Sequence, residues 1–427
     1  MATPTRMKAT LAAACFTVLA TMPGRAQDET LRIGMLGVLS GAIGEAAGKA
    51  LSIGARLAVE EVNDRGGVAG YRIEAVIVDA GSDIAGAVEQ TERFLDDPSI
   101  DLIVSNLSSA QCAAIAGMVD AEETFLWLSS CTASEILRDK HYRYVFRPHI
   151  DSASHAEMAC RYLRDAVAPA LDVEPVGLRL AVVHEDGAYG SGLAEDTETA
   201  CGALGVPITL MDLFPTDTLD HSSFVERIAE NDIDVVIHAA YYADTMRFIR
   251  QLEDSGVSLA ALIGQGGGYS HIDQLDADLG AAAVNYLSNV DPATVQLIDP
   301  ATLLPEEDDL IDNFVARWRA EVGPGEIPSH ATTGFNATWV LLTTVLQRAI
   351  SSHGGVGADA LRAAALEIDI PEGGTIQGYG VEFADSDSPI AGQNLRAFPV
   401  VMQYHDGATH IVWPPELATE TPVIPRP

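Results

Sequence analysis

A chain of 427 residues with 61 acidic and 25 basic side chains carries a net charge of −36, which excludes nucleic acid and anionic membrane surfaces as partners. Hydrophobic residues make up 48% of it, enough for large cores, and the length suits two domains of ordinary size. The acidity is scattered rather than blocked, so it marks a solvated surface and says little about a ligand.

Arg6 and Lys8 precede an apolar run from Ala9 to Met22, and Gly24 and Ala26 put small residues at the −3 and −1 positions. This pattern predicts a secretory signal over residues 1–26, cleaved before Gln27. The run is shorter than the roughly 20 residues of a bilayer span. A lipoprotein site at Cys15 is the competing reading, and Met7-Lys8 offers an alternative start to the same signal. Loss of Arg6, Lys8 and Arg25 moves the net charge from −36 to about −39. Four cysteines then remain, Cys112, Cys131, Cys160 and Cys201. An oxidising compartment permits disulfides. Order along the chain favours 112–131 and 160–201, with buried thiols as the alternative. There is no C-x-x-C or zinc-type Cys/His spacing, so neither a metal nor a cofactor is expected.

From Leu31 onward, buried strands alternate with helices. Strands are predicted at Leu31–Leu39, Arg72–Val78, Asp101–Ser105 and Phe125–Ser129. Helices are expected at Ala47–Asn63, where Gly66-Gly67 supplies the stop, and from near Asp83 and Ser109. The rhythm restarts after Pro148, with helix Ser154–Val167 and strands Leu178–His184, Ile208–Phe214, Asp234–His238 and Leu259–Gly264. Val284–Val290 is read as the crossing back. Helices follow at Leu310–Glu321 and His330–Ser351, and a hairpin turns at Asp406-Gly407. Continuous apolar strands between helices mean parallel sheets covered on both faces. The expected fold is therefore α/β, with two doubly wound lobes joined by a multi-crossing hinge. The first lobe takes residues 27–148 plus about 290–375. The second takes 149–289 plus about 376–415, and 416–427 form a tail. Ligands of such sheets bind at the carboxyl ends of the strands.

Catalytic and nucleotide motifs are missing. Gly44 to Ala50 lacks Walker A spacing, and Gly264-Gln265-Gly266-Gly267-Gly268 is not a dinucleotide fingerprint. No serine sits in a G-x-S-x-G elbow. His149, His184 and His238 end strands, where a structural role is the commoner one. His149 is kept as a candidate ligand contact. Ser108-Ser109 opens a helix directly after a buried strand, and such N-termini hold carboxylates. Ser129-Ser130-Cys131-Thr132 ends the next strand and adds donors. Tyr189 and Tyr241-Tyr242 follow strands of the second lobe, where a tyrosine either closes over a ligand or packs as a rim residue.

In order and spacing these residues resemble the type I periplasmic solute-binding proteins of ABC importers, in the leucine/isoleucine/valine-binding class. The resemblance spans residues 31 to 415. It is carried by Ile33-Gly34, Leu39-Ser40-Gly41, Gly54-Ala55-Arg56-Leu57-Ala58, Gly66-Gly67-Val68-Ala69-Gly70, Ser108-Ser109, Phe146-Arg147 and Tyr189-Gly190-Ser191-Gly192-Leu193-Ala194. It implies a monomeric, non-enzymatic periplasmic receptor that closes on a small molecule and delivers it to an inner-membrane permease. A sensor docking on a membrane receptor is the rival. The resemblance assigns the ligand carboxylate to Ser109, Ser130–Cys131 and Thr132, in a loop one residue shorter than the family's Ser-Pro-x-Ala-Thr, and the cleft aromatics to Tyr189 and Tyr241. The family's ammonium-pairing acid falls on Gly266, flanked by Gln265 and Gly267. An unpaired buried ammonium is costly, so the expected ligand is a hydrophobic or aromatic carboxylate lacking one, with a branched-chain amino acid as runner-up. Asp244 is the acid to watch as a substitute.

Overall fold

The computed structural model describes residues 29–44, 46–105, 107–216 and 218–427; the signal segment 1–26 and its cleavage site lie outside the described residues. Five strands form the first sheet: β1 (Thr30–Gly37), β2 (Arg72–Asp79), β3 (Leu102–Ser105), β4 (Leu126–Leu128) and β5 (Val145–Phe146). Their order is β2-β1-β3-β4-β5, all parallel. The helices Ala47–Asp64, Ile84–Asp96 and Ser109–Ala121 make the crossovers. One face of the sheet packs Ile33, Met35, Val104 and Trp127 against Leu341, Leu342 and Val345 from late in the chain. The other face packs Leu36, Ile103 and Leu126 on Ile115 and Val119 of the Ser109 helix.

The buried helix Ser329–Val340 lies against Ala47–Asp64 so closely that side chains are excluded at two points. A Cβ on Gly54 would sit 2.1 Å from the Ala331 carbonyl oxygen, and one on Gly334 would sit 2.1 Å from that of Leu51. These glycines permit backbone-to-backbone helix packing.

The second sheet contains β6 (Leu180–Glu185), β7 (Ile208–Phe214), β8 (Val235–Ala239), β9 (Ala261–Gly264), β10 (Ser288–Asp291), β11 (Val400–His405) and β12 (Ala408–Trp413). Their order is β12-β11-β10-β9-β8-β6-β7. β6 to β10 are parallel, whereas β11 pairs antiparallel with β10 and with β12. The hairpin turns at Asp406 (φ 54°) and Gly407 (φ 81°), the paired positive angles of a type I′ turn.

The segment read as a crossing, Val284–Val290, instead enters the second sheet: Ser288 and Asn289 pair with Ile263 and Gly264 of β9. The chain leaves that sheet only after Asp291. Residues beyond 376 also keep company with the first sheet. Val381 and Phe383 are in its core, and Phe383 packs edge-on against Trp127 and Phe146. The chain rejoins the second sheet at Val400.

A polar network holds the crossings. The buried Arg147 donates from Nη1 to the carbonyls of Cys131 and Ala133, both at 2.9 Å, and from Nε to Gln393. Gln393 donates to the His149 carbonyl at 2.8 Å, and Asn394 to that of Pro148 at 2.7 Å. Burial pulls the Arg147 guanidinium down to about 10, so it stays charged at neutral pH. Disulfides join Cys112 to Cys131 and Cys160 to Cys201. Among the described residues no helix is long and apolar enough to cross a membrane.

Candidate functional site

Parallel sheets end in a row of strand tips and helix N-termini, and here the two rows face each other. A small cavity lies between them. From the first lobe come Leu107, Ser130 and Thr132; from the second, Tyr189, Tyr241, Gln265, Gly266, Gly267 and Asp291; His149, His155 and His330 come from the crossings and the helices they lead into.

Of the residues the sequence singled out, Ser130, Thr132, His149, Tyr189, Tyr241, Gln265 and Gly266 line this cavity. Ser108, Ser109 and Cys131 stand behind its wall. Ser108 caps its helix, accepting from the Gln111 N–H at 3.4 Å, and its hydroxyl meets that of Tyr241. The Ser109 hydroxyl accepts from the Ala133 N–H at 3.2 Å and so braces the loop after β4. Cys131 is tied to Cys112.

The tyrosines are held by their surroundings. Their rings are 5.2 Å apart, tilted by 43°, and Ile43 of the first lobe packs on the pair. The Tyr189 hydroxyl donates to the Gln265 carbonyl at 2.7 Å. Gly267 makes this possible: its φ is +54°, and a Cβ there would lie 2.7 Å from that hydroxyl and 2.4 Å from the Ala240 carbonyl.

The expectation that no acid faces the second-lobe side of the cleft is corrected by Asp291. Gly266 carries no side chain, and the space beside it belongs to the Asp291 carboxylate, 3.3 Å from where a Cβ would be. Asp291 accepts from the hydroxyls of Ser270, at 2.6 Å, and Ser329. Burial raises its carboxyl to about 6, against the lowering pull of those two hydroxyls. His155 Nε2 lies 3.9 Å from Oδ1, but burial drops the His155 and His330 rings to about 4 and His149 well below its usual range. All three are neutral at pH 7, so they supply hydrogen bonds and no counter-charge. Both ring nitrogens of His155, and Nδ1 of His149 and of His330, are buried without a hydrogen-bond partner in the protein.

Other buried acids are engaged elsewhere. Asp244 faces Arg247, at 3.3 Å, and His221, at 3.7 Å. Glu185 accepts from the N–H groups of Gly187 and Gly190 and from Thr216, holding the N-terminus of the helix that carries Tyr189. Asp196, on that same helix, reaches across to the first lobe. It accepts from Ser134 at 2.8 Å, from Arg138 at 2.6 Å and from Ser152 at the crossing. The two lobes are thus latched in a closed arrangement.

Sequence reasoning missed Asp291, His155 and His330. A strand assignment for Val284–Val290 within the second lobe would have brought Asp291 to a strand tip.

A family model described as a periplasmic binding protein matches residues 30–388. Over 373 residues, 87% of this chain and 89% of the relative, the sequence is 28% identical to Leu/Ile/Val-binding protein homolog 7 of Brucella suis. Among solved structures, the chain is similar to the substrate-binding protein of a branched-chain amino acid transporter from Streptococcus pneumoniae, in complex with isoleucine. That match has a TM-score of 0.72 and 18% identity, covering 90% of this chain and 100% of the other. It is also similar to an ABC transporter solute-binding protein from R. palustris in complex with benzoate, with a TM-score of 0.71 and 16% identity over 90% and 95% of the two chains.

Proposed function

The chain belongs to the type I periplasmic binding proteins of the leucine/isoleucine/valine-binding family, and from that premise we propose that it binds a compact α-amino acid between its lobes and hands it to an ABC permease. The observation that carries the ligand class is Asp291. A buried carboxylate with only serine donors and neutral histidines around it is costly until a cation joins it, and an ammonium supplies that charge. The opposite wall suits a carboxylate: the Ser130 and Thr132 hydroxyls stand beside the N-terminus of the Ser109 helix. The closed cavity is small, which limits the side chain.

This reading replaces the des-amino carboxylate expected from Gly266, whose ground was a missing counter-charge. Export through the N-terminal signal and work in the periplasm follow from the family's habit and the pattern of residues 1–26. Calorimetry on the mature chain tests the ligand class by comparing leucine and phenylalanine with 4-methylpentanoate and 3-phenylpropanoate. The amino acids are expected to bind at least tenfold tighter, as an ion pair in a dry cleft demands. Tighter binding of the des-amino acids would overturn the assignment.

A further inference from the structure

We propose that His405, His410 and Glu420 form a binding site for one divalent first-row transition metal of the zinc type, which clasps the C-terminal segment to the β11–β12 hairpin. In the hairpin Gln403 pairs with His410 and His405 with Ala408. Cross-strand partners and residues two apart share a face, so His405 and His410 are diagonal neighbours on one side. Their ring centroids are 4.4 Å apart.

The third donor comes from further along the chain and is anchored by its backbone. The N–H groups of Thr419 and Glu420 both donate to the Ile411 carbonyl, at 2.8 and 3.2 Å, and the Ile411 N–H donates to the Thr419 hydroxyl. This holds Glu420 over the two rings. Its carboxylate oxygens lie 3.6 Å from His405 Nε2 and 3.8 Å from His410 Nδ1, and one donor atom from each residue falls within 4.8 Å of the others. Donors about 2.0–2.2 Å from a tetrahedral zinc are roughly 3.3 Å apart, so a small contraction completes the site.

The three donors are too far apart to satisfy one another directly. His405 is 4% exposed, and its Nε2 has no hydrogen-bond partner in the protein. On the ring's other side Asp406 lies 3.6 Å from Nδ1, the position from which a carboxylate orients a metal-bound imidazole. The Tyr286 ring stacks on His405 at 6.1 Å and 16°. Two imidazoles and one carboxylate select zinc, nickel or copper over calcium or magnesium, and leave a coordination position for water. Asp291 pairs with Val400 and Ser288 with Gln403, so His405 is at the opposite end of the sheet from the ligand cleft. The metal's role there is to fasten the tail rather than to contact the solute.

The test uses the chelator-stripped mature chain without amino acid. Calorimetric titration with zinc chloride is expected to show one equivalent bound with low-micromolar affinity or tighter. Cobalt(II) should give the visible absorption of a four-coordinate site. His410→Ala, at a partly exposed position, and Glu420→Gln, at an exposed one, should retain the native circular dichroism spectrum and weaken binding by more than about 10-fold. Absence of saturable zinc binding below millimolar concentration would overturn the proposal. So would unchanged affinity in both variants, which would put the metal elsewhere, such as at the cleft histidines.

Discussion

Replacing Asp291 by asparagine keeps the side-chain volume and removes the charge. Burial lifts this carboxyl from 3.8 to about 6, a difference worth about 3 kcal/mol. The sign follows from proton linkage: the folded state holds the proton more tightly than the unfolded state. Asp291 therefore costs nothing below about 4, and its penalty grows as pH rises through about 6. At pH 7.5 the asparagine variant should be more stable than the wild type without ligand, by up to about 3 kcal/mol, and the two should converge near pH 4. With an amino acid the order reverses, because the ammonium pairs with the ionised carboxylate. Removing one partner of a buried charge pair costs about 2–5 kcal/mol, so affinity should fall by on the order of 10²-fold. Denaturant unfolding at pH 4 and 7.5, with and without leucine, and calorimetry measure both effects. Wild-type affinity in Asp291→Asn, together with unaltered pH dependence, would refute the reasoning.

The histidines oppose Asp291 in pH dependence. Stability from neutral His155 and His330 is present above the unfolded value of 6.5 and is lost as pH falls through about 4, so His155→Gln should flatten the acid limb of a stability–pH profile. Asp196→Ala removes the latch from Ser134 and Arg138, and charge-assisted hydrogen bonds are worth about 1.5–3 kcal/mol. Small-angle scattering with saturating ligand should then give a radius of gyration nearer the open form; a fully compacted variant would count against the latch. Gly334→Ala forces a Cβ to within 2.1 Å of the Leu51 carbonyl, so the two helices must part, at a cost of roughly 1–3 kcal/mol. An unchanged melting temperature would show that the helices do not meet there.

What the sequence determined by itself was the local and the repetitive. Short, β-branched apolar runs such as Leu102–Ser105 and Val235–Ala239 read as buried strands, their spacing leaves room for one helix each, and Asp406-Gly407 writes its own turn. The strand tips at Ser130, Tyr189 and Tyr241 were legible for the same reason, since a tip is a sequence boundary. Side-chain direction was not. Whether Ser109 points at a ligand or at the Ala133 N–H depends on how the β4 loop folds back, a contact across 24 residues. Asp291 was one acid among 61, and nothing local distinguishes it. It becomes a cleft residue because β10 adds to β9 in parallel register, because Gly266, lacking a side chain, leaves room for its carboxylate, and because Ser329 arrives from the other lobe to hydrogen-bond it. Likewise His405 and His410 meet only through the pairing of β11 with β12, and Glu420 joins them through its backbone hydrogen bond to Ile411. Periodicity reports which face a residue takes within its own element. Chemistry between elements depends on register and lobe closure, which the packing of the whole chain decides.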